Sequence, residues 1–143
     1  MNKSTVTVLS AIMMLLVAIE CEAQVVESWA SRYNGPGSGT DKANAVAVDP
    51  SGNVYVTGSS VRGGAGTEDY ATIKYNSVGV LQWVRRYNGT ASAADIAYAI
   101  AVDASGYVYV TGGSWGTGAN YDYVTIKYTS SGDTVWVRRY NGT

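Results

Sequence analysis

The sequence predicts an all-β protein built from a repeated four-strand unit, and three observations carry that prediction. "RYNGPGSGTDKANAVAVDPSGNVYVTG" at 32–58 is spelled again as "RYNGTASAADIAYAIAVDASGYVYVTG" at 86–112, with identity at 18 of 27 positions. "DYATIKYNSVGVLQWVRRYNG" at 69–89 returns as "DYVTIKYTSSGDTVWVRRYNG" at 122–142, identical at 15 of 21. The offset drops from 54 to 53 between these blocks, so the intervening loop is one residue shorter in the second copy. A period of this length marks a repeat architecture. The third observation is that no helical periodicity follows the N-terminal apolar run.

That run is the first element. Met1-Asn2-Lys3 carries a positive charge, Val6 to Ile19 is mostly apolar, and Cys21 and Ala23 stand as small residues before Gln24. This is the pattern of a secretory signal peptide over 1–23, too short for a membrane span. A lipidated Cys21 is the competing reading, and Glu20, where a lipobox wants a small residue, speaks against it. The mature chain, 24–143, then has no cysteine and no histidine, which removes disulfides as staples. Its acidic and basic residues balance at nine each, so nothing in its charge suits nucleic acid or an acidic membrane. No second apolar stretch is long enough to span a bilayer.

Each repeat contains four β-prone runs, which in the first copy are "AVAVD" (45–49), "NVYVTG" (53–58), "YATIKYN" (70–76) and "LQWVRRYN" (81–88). Valine, isoleucine, threonine, tyrosine and tryptophan dominate them, as a packed, pleated surface favours. Asp49-Pro50-Ser51-Gly52 and Asn76-Ser77-Val78-Gly79 supply tight turns, because glycine permits positive φ and Asp or Asn bonds the local backbone. Four antiparallel strands in roughly 50 residues describe one blade of a β-propeller, with strands A to D running outward from the axis. A β-solenoid is the structural alternative, though its coils are usually shorter.

The motifs "DPSGNVYVTG", "YATIKYN" and "WVRRYNG" resemble the bacterial SBBP-type β-propeller repeat, and more distantly NHL repeats, over 29–143. The resemblance implies a propeller of exported bacterial proteins and brings no shared catalytic residue. On this reading 36–89 is blade 1, 90–143 is blade 2, and 24–35 is an unpartnered outer strand. In that strand Trp29, Arg32 and Tyr33 align with Trp83, Arg86 and Tyr87. Such a strand completes the last blade of a closed ring. Two blades cannot close a ring of at least about four, so the expectation is an incomplete propeller, a fragment; self-assembly of short chains is the alternative.

Strand order places the D–A and B–C connections on one rim, where the longer loops lie at 34–44, 59–69, 88–98 and 113–122. Long loops on a rigid scaffold are where binding usually resides. Val61 corresponds to Trp115 and Glu68 to Tyr121, so this rim differs between the repeats. Arg62, Trp115 and Tyr121 are therefore the candidate ligand-binding residues, with an unidentified protein or carbohydrate as ligand.

Other motifs have plainer readings. Asp41, Asp69, Asp95 and Asp122 lie on this rim without a D-x-D-x-D-G run, which suits turn bonding better than calcium. The alternating Trp83, Arg85 and Tyr87, echoed by Trp136, Arg138 and Tyr140, suit stacking between blades. "GGSWG" at 112–116 fits G-x-S-x-G, but no helix follows Ser114 and no histidine is present to act as base. Asn88-Gly89-Thr90 is a sequon that recurs at 141–143 and reads as turn chemistry. With no catalytic, metal-binding or cofactor motif, the expected function is non-enzymatic. It is that of a secreted or surface propeller segment serving binding; the alternative is the N-terminal propeller part of a larger secreted enzyme, such as a polysaccharide-active one. Mass spectrometry of the exported product should find Gln24 at the N-terminus, and a diacylglyceryl-modified Cys21 would overturn the signal-peptide assignment.

Overall fold

The computed structural model describes residues 26–64, 67–118 and 120–142. The expected signal peptide lies outside them. Eight strands form: β1 (Asp41–Val48), β2 (Val54–Val61), β3 (Glu68–Tyr75), β4 (Leu81–Tyr87), β5 (Asp95–Val102), β6 (Val108–Trp115), β7 (Tyr121–Tyr128) and β8 (Thr134–Tyr140). They pair as two four-stranded antiparallel sheets, β1-β2-β3-β4 and β5-β6-β7-β8, which are the two expected blades.

Local chemistry fixes the turns. Between β1 and β2, the Asp49 carboxylate accepts from the Ser51 and Asn53 amides, the Asn53 side chain and the Tyr55 hydroxyl, all within 2.8–3.0 Å. Asp103 accepts in the same way from Ser105, Tyr107 and the Tyr109 hydroxyl. In the β3–β4 turn Asn76 takes this part, and in the β7–β8 turn Thr129 replaces it by accepting from the Asp133 amide.

The strands outrun the apolar runs that announce them. β1 begins four residues before "AVAVD", and β2 continues through Ser59, Ser60 and Val61. The loops expected at 34–44 and 59–69 are shorter as a result, and their ends belong to strands. Two features cause this. A bulge between Ala43 and Ala45 absorbs one residue, Asn44, and lets Lys42 and Asp41 pair with Ser59 and Ser60. Gly58 has no room for a side chain, since a Cβ there would fall on the Lys42 carbonyl. The second blade repeats both, with Tyr98 as its extra residue.

The blades meet through side chains. Trp83 of β4 is buried among Tyr55 of its own blade and Tyr128 of the next, with ring centroids 6.0 and 6.2 Å away. Its indole N–H donates to the Ser130 carbonyl at 3.1 Å. The ring lies on Gly132, whose φ of +88° already favours glycine and where a Cβ would stand 2.9 Å from the ring. Arg85 donates to the Gly132 carbonyl and Lys74 to that of Ser130. Nearer the rim, the Tyr70 hydroxyl donates to the Val124 carbonyl at 3.3 Å and Asn44 to the Ala97 carbonyl at 2.7 Å. The shared core adds Val108, Val110, Val124 and Ile126. The expected stacking role of the Trp83, Arg85 and Tyr87 set is what the structure shows.

Residues 26–35 carry no strand assignment, because their backbone meets no ladder partner among the described residues. Trp29 nonetheless occupies on blade 1 the seat that Trp83 takes on blade 2. It lies 5.7 Å from Tyr75, with its ring against Gly79. The outer-strand assignment thus holds for the side chain and not for the backbone. The far faces of the pair are open. Tyr123 and Tyr140 are exposed where their counterparts Tyr70 and Tyr87 are covered, and Val46 and Val48 are exposed where Ile100 and Val102 pack on the core.

Two outcomes follow from this packing. Trp83→Ala should destabilise the protein by about 3–5 kcal/mol in urea unfolding. Trp136→Ala, at the same strand position but with no following blade among the described residues, should cost about 1 kcal/mol; equal losses would contradict blade stacking. Burial pushes the Tyr128 phenol up to about 12, with Arg85 opposing and Tyr87 adding to the rise. The unfolded chain ionises this tyrosine at about 10 and the folded one only at about 12, so stability is full below the lower pH and falls as pH rises above it. Tyr128→Phe should shift the alkaline unfolding midpoint upward, and an unchanged midpoint would contradict the assignment.

Candidate ligand-binding rim

The start of β1, the end of β2, the start of β3 and the end of β4 converge on one rim of blade 1, and β5 to β8 do the same in blade 2. Beneath each rim lies a polar cluster that fixes it. Arg86 reaches back across the sheet, donating to the Ser60 hydroxyl at 2.6 Å, the Ser60 carbonyl at 2.9 Å and Asp69 at 3.0 Å. Tyr33, from the N-terminal segment, accepts from the same guanidinium at 3.2 Å. In blade 2, Arg139 donates to the Ser114 hydroxyl at 2.5 Å and to Asp122 at 2.6 Å. Burial works against the charge of both arginines, but the hydrogen bonds from Arg86 to Tyr33 and Asp69, and from Arg139 to Asp122 and Tyr87, more than offset it. Such buried, charge-assisted pairs are the strong kind.

The remaining aspartates hold the loops that enter each blade. Asp41 accepts from the Gly35 amide at 2.9 Å and Asp95 from the Gly89 amide at 2.5 Å. Gly89 is required by this close approach, since a Cβ there would fall on the Ser114 hydroxyl. The aspartates therefore do structural work, as their spacing suggested. The second oxygen, Oδ1, of each of the four is buried without a protein partner among the described residues. Ser114 is fully buried in mid-cluster on a strand and corresponds to Ser60, so the G-x-S-x-G match describes a scaffold residue.

Of the three expected site residues, two come together. Trp115 ends β6, Tyr121 begins β7, and the two are directly paired. Their rings meet edge to face, with centroids 4.9 Å apart and planes at 87°. Trp115 is half-buried and braces Tyr121, which stays about half exposed at 49%. Arg62 lies in the turn beyond β2, exposed, its backbone amide bonded to the Thr67 carbonyl. None of the three expected residues lines the groove that the rim encloses.

That groove runs between the blades, with a volume of about 610 Å³ and a lining that includes Thr40, Lys42, Asn44, Glu68 and Tyr98. Tyr98 is exposed at 58%, and Lys42 is exposed too. Tyr98 and Glu68 both neighbour Tyr121, whose phenol is pushed up first by burial and then by these two groups. Sequence reasoning missed Tyr98 and Lys42 as groove residues. The available signal was the Asn44/Tyr98 difference between otherwise matching repeats, but the bulge that turns this position outward leaves no mark in the sequence.

A family model described as a beta-propeller repeat, SBBP, matches residues 29–60 and 82–118. No curated protein matches the chain. The two matched segments begin on the outer-strand tryptophans or beside them and run through the Asp-x-Ser-Gly turn into the second strand, which is the stretch repeated in the two sheets. With two four-stranded antiparallel blades joined through Trp83, the chain is an SBBP-type β-propeller repeat protein.

Proposed function

We propose that the chain is a non-enzymatic binding scaffold, exported to the cell exterior, which presents its long-loop rim to a ligand. One observation carries the reading. The polar clusters beneath the rim repeat residue for residue, whereas the rim above them does not. Arg86, Asp69 and Ser60 have identical counterparts in Arg139, Asp122 and Ser114. At the strand ends over those clusters, Val61 and Glu68 give way to Trp115 and Tyr121. Fixed support beneath variable, partly exposed aromatic residues is the arrangement of a surface whose chemistry is separate from its folding.

The non-enzymatic part of the reading rests on the same clusters. Asp69, Asp95, Asp122 and Ser114 are buried and engaged by arginine or backbone, which withholds them from chemistry. Export rests on the charged, apolar and small-residue pattern of 1–23.

The two blades supply their own control residues. In a Trp115→Val/Tyr121→Glu double variant, each side chain becomes the one the other blade carries. Its stability should stay within about 1 kcal/mol of wild type, while binding on peptide and glycan arrays is lost. Array signals that survive this exchange unchanged would overturn the rim as the binding surface.

A further inference from the structure

We propose that the inter-blade groove on this rim is a saccharide site, with Tyr98 as its stacking face and Lys42 and Glu68 as its polar grips. The proposal rests on the rim-binding reading above and gives it a ligand class.

Tyr98 is the starting point. It lies on β5, an innermost strand, yet more than half of it faces solvent. Its counterpart Asn44 is spent on a structural bond, donating to the Ala97 carbonyl at 2.7 Å to tie β1 to β5. Tyr98 makes no side-chain hydrogen bond among the described residues, so an aromatic surface stands free at a position that blade 1 uses for support. A pyranose ring has one face lined by C–H groups, and such a face packs on an exposed aromatic ring while its edge presents hydroxyls.

The polar partners face the same space. Lys42 and Glu68 both line the groove, and among the described residues neither forms an ion pair or a side-chain hydrogen bond. A carboxylate accepts from two adjacent hydroxyls, and an ammonium donates to ring or hydroxyl oxygens. Opposite charges in one groove, not neutralising each other, suit a neutral, hydroxyl-rich ligand better than an ionic one. The volume of about 610 Å³ lies within the range for small-ligand sites. Gly37 and Gly39 also line the groove and carry no side chain. Of the lining, only Val61 and Ile96 are aliphatic, which offers little to an apolar peptide side chain.

The test is calorimetric titration of the full chain with lactose, maltose, cellobiose and N,N′-diacetylchitobiose, alongside variants. At least one of these disaccharides should bind with Kd on the order of 1 mM, and Tyr98→Asn, which installs the blade-1 residue, should weaken it about tenfold or more. Tyr98→Phe keeps the stacking face and should bind within about twofold of wild type, whereas Glu68→Gln should weaken binding about threefold or more. Arg62→Ala, outside the groove, should have no effect. Absence of binding by every disaccharide, or full binding by Tyr98→Asn, overturns the proposal. Peptide binding that is lost in the Trp115→Val/Tyr121→Glu variant, with no saccharide bound, would overturn the saccharide assignment while leaving the rim reading in place.

Discussion

The contact between the outer-strand tryptophan of one blade and the turn glycine of the next sets the geometry of the whole molecule. A four-stranded sheet cannot bury both of its faces alone, and Trp83 is the largest side chain that crosses from one sheet to the other. It seats on Gly132, bonds the Ser130 carbonyl and packs between Tyr55 and Tyr128. The glycine serves two needs at one position: positive φ for the turn, and a bare backbone for the indole. Arg85 and Lys74 then bond the same turn and limit rotation of one sheet over the other. Trp29 on Gly79 repeats the device without a sheet behind it, so the seat is a property of each blade's own turn.

Once the outer edge is fixed in this way, the rim is fixed by charge. A half-buried arginine in each blade gathers a serine and an aspartate, and a tyrosine of the segment that precedes the blade joins it. A guanidinium suits this position because it spreads several donors over a plane, which lysine cannot do. The glycine that follows that tyrosine is bonded by Asp41 or Asp95. Each entering segment is thus pinned twice, and the residues above are released from structural duty. That separation is what allows Val61 and Glu68 in one blade to stand where Trp115 and Tyr121 stand in the other.

Much of this was legible in the sequence, for reasons that can be named. The Asp49 and Asn76 turns are local, so adjacent residues announce them. The repeat places Trp83, Arg85 and Tyr87 in register with Trp136, Arg138 and Tyr140, and alternation puts each set on one face. The pairing of Trp115 with Tyr121 followed from their places on either side of one connection. What escaped was tertiary in origin. The polar end of β2 and the polar start of β3 look like loop because their burial depends on Arg86, which is distant in sequence. The bulges at Asn44 and Tyr98 carry no residue signature, so the outward turn of Tyr98, and with it the groove, was invisible. Residues 26–35 read as strand from their match to β4, but a strand exists only where a partner receives its backbone.

The most direct test of blade stacking is the exchange of the four tryptophan indole protons with deuterated water, followed by NMR. The Trp83 indole N–H is hydrogen-bonded inside the inter-blade contact, so it should exchange only as fast as the β2 and β3 amides, through opening of the whole molecule. The Trp136 indole, on the open face of blade 2, should exchange far faster. A Trp83 proton that exchanges as fast as that of Trp136, while the strand amides stay protected, would show two independent sheets and contradict the account.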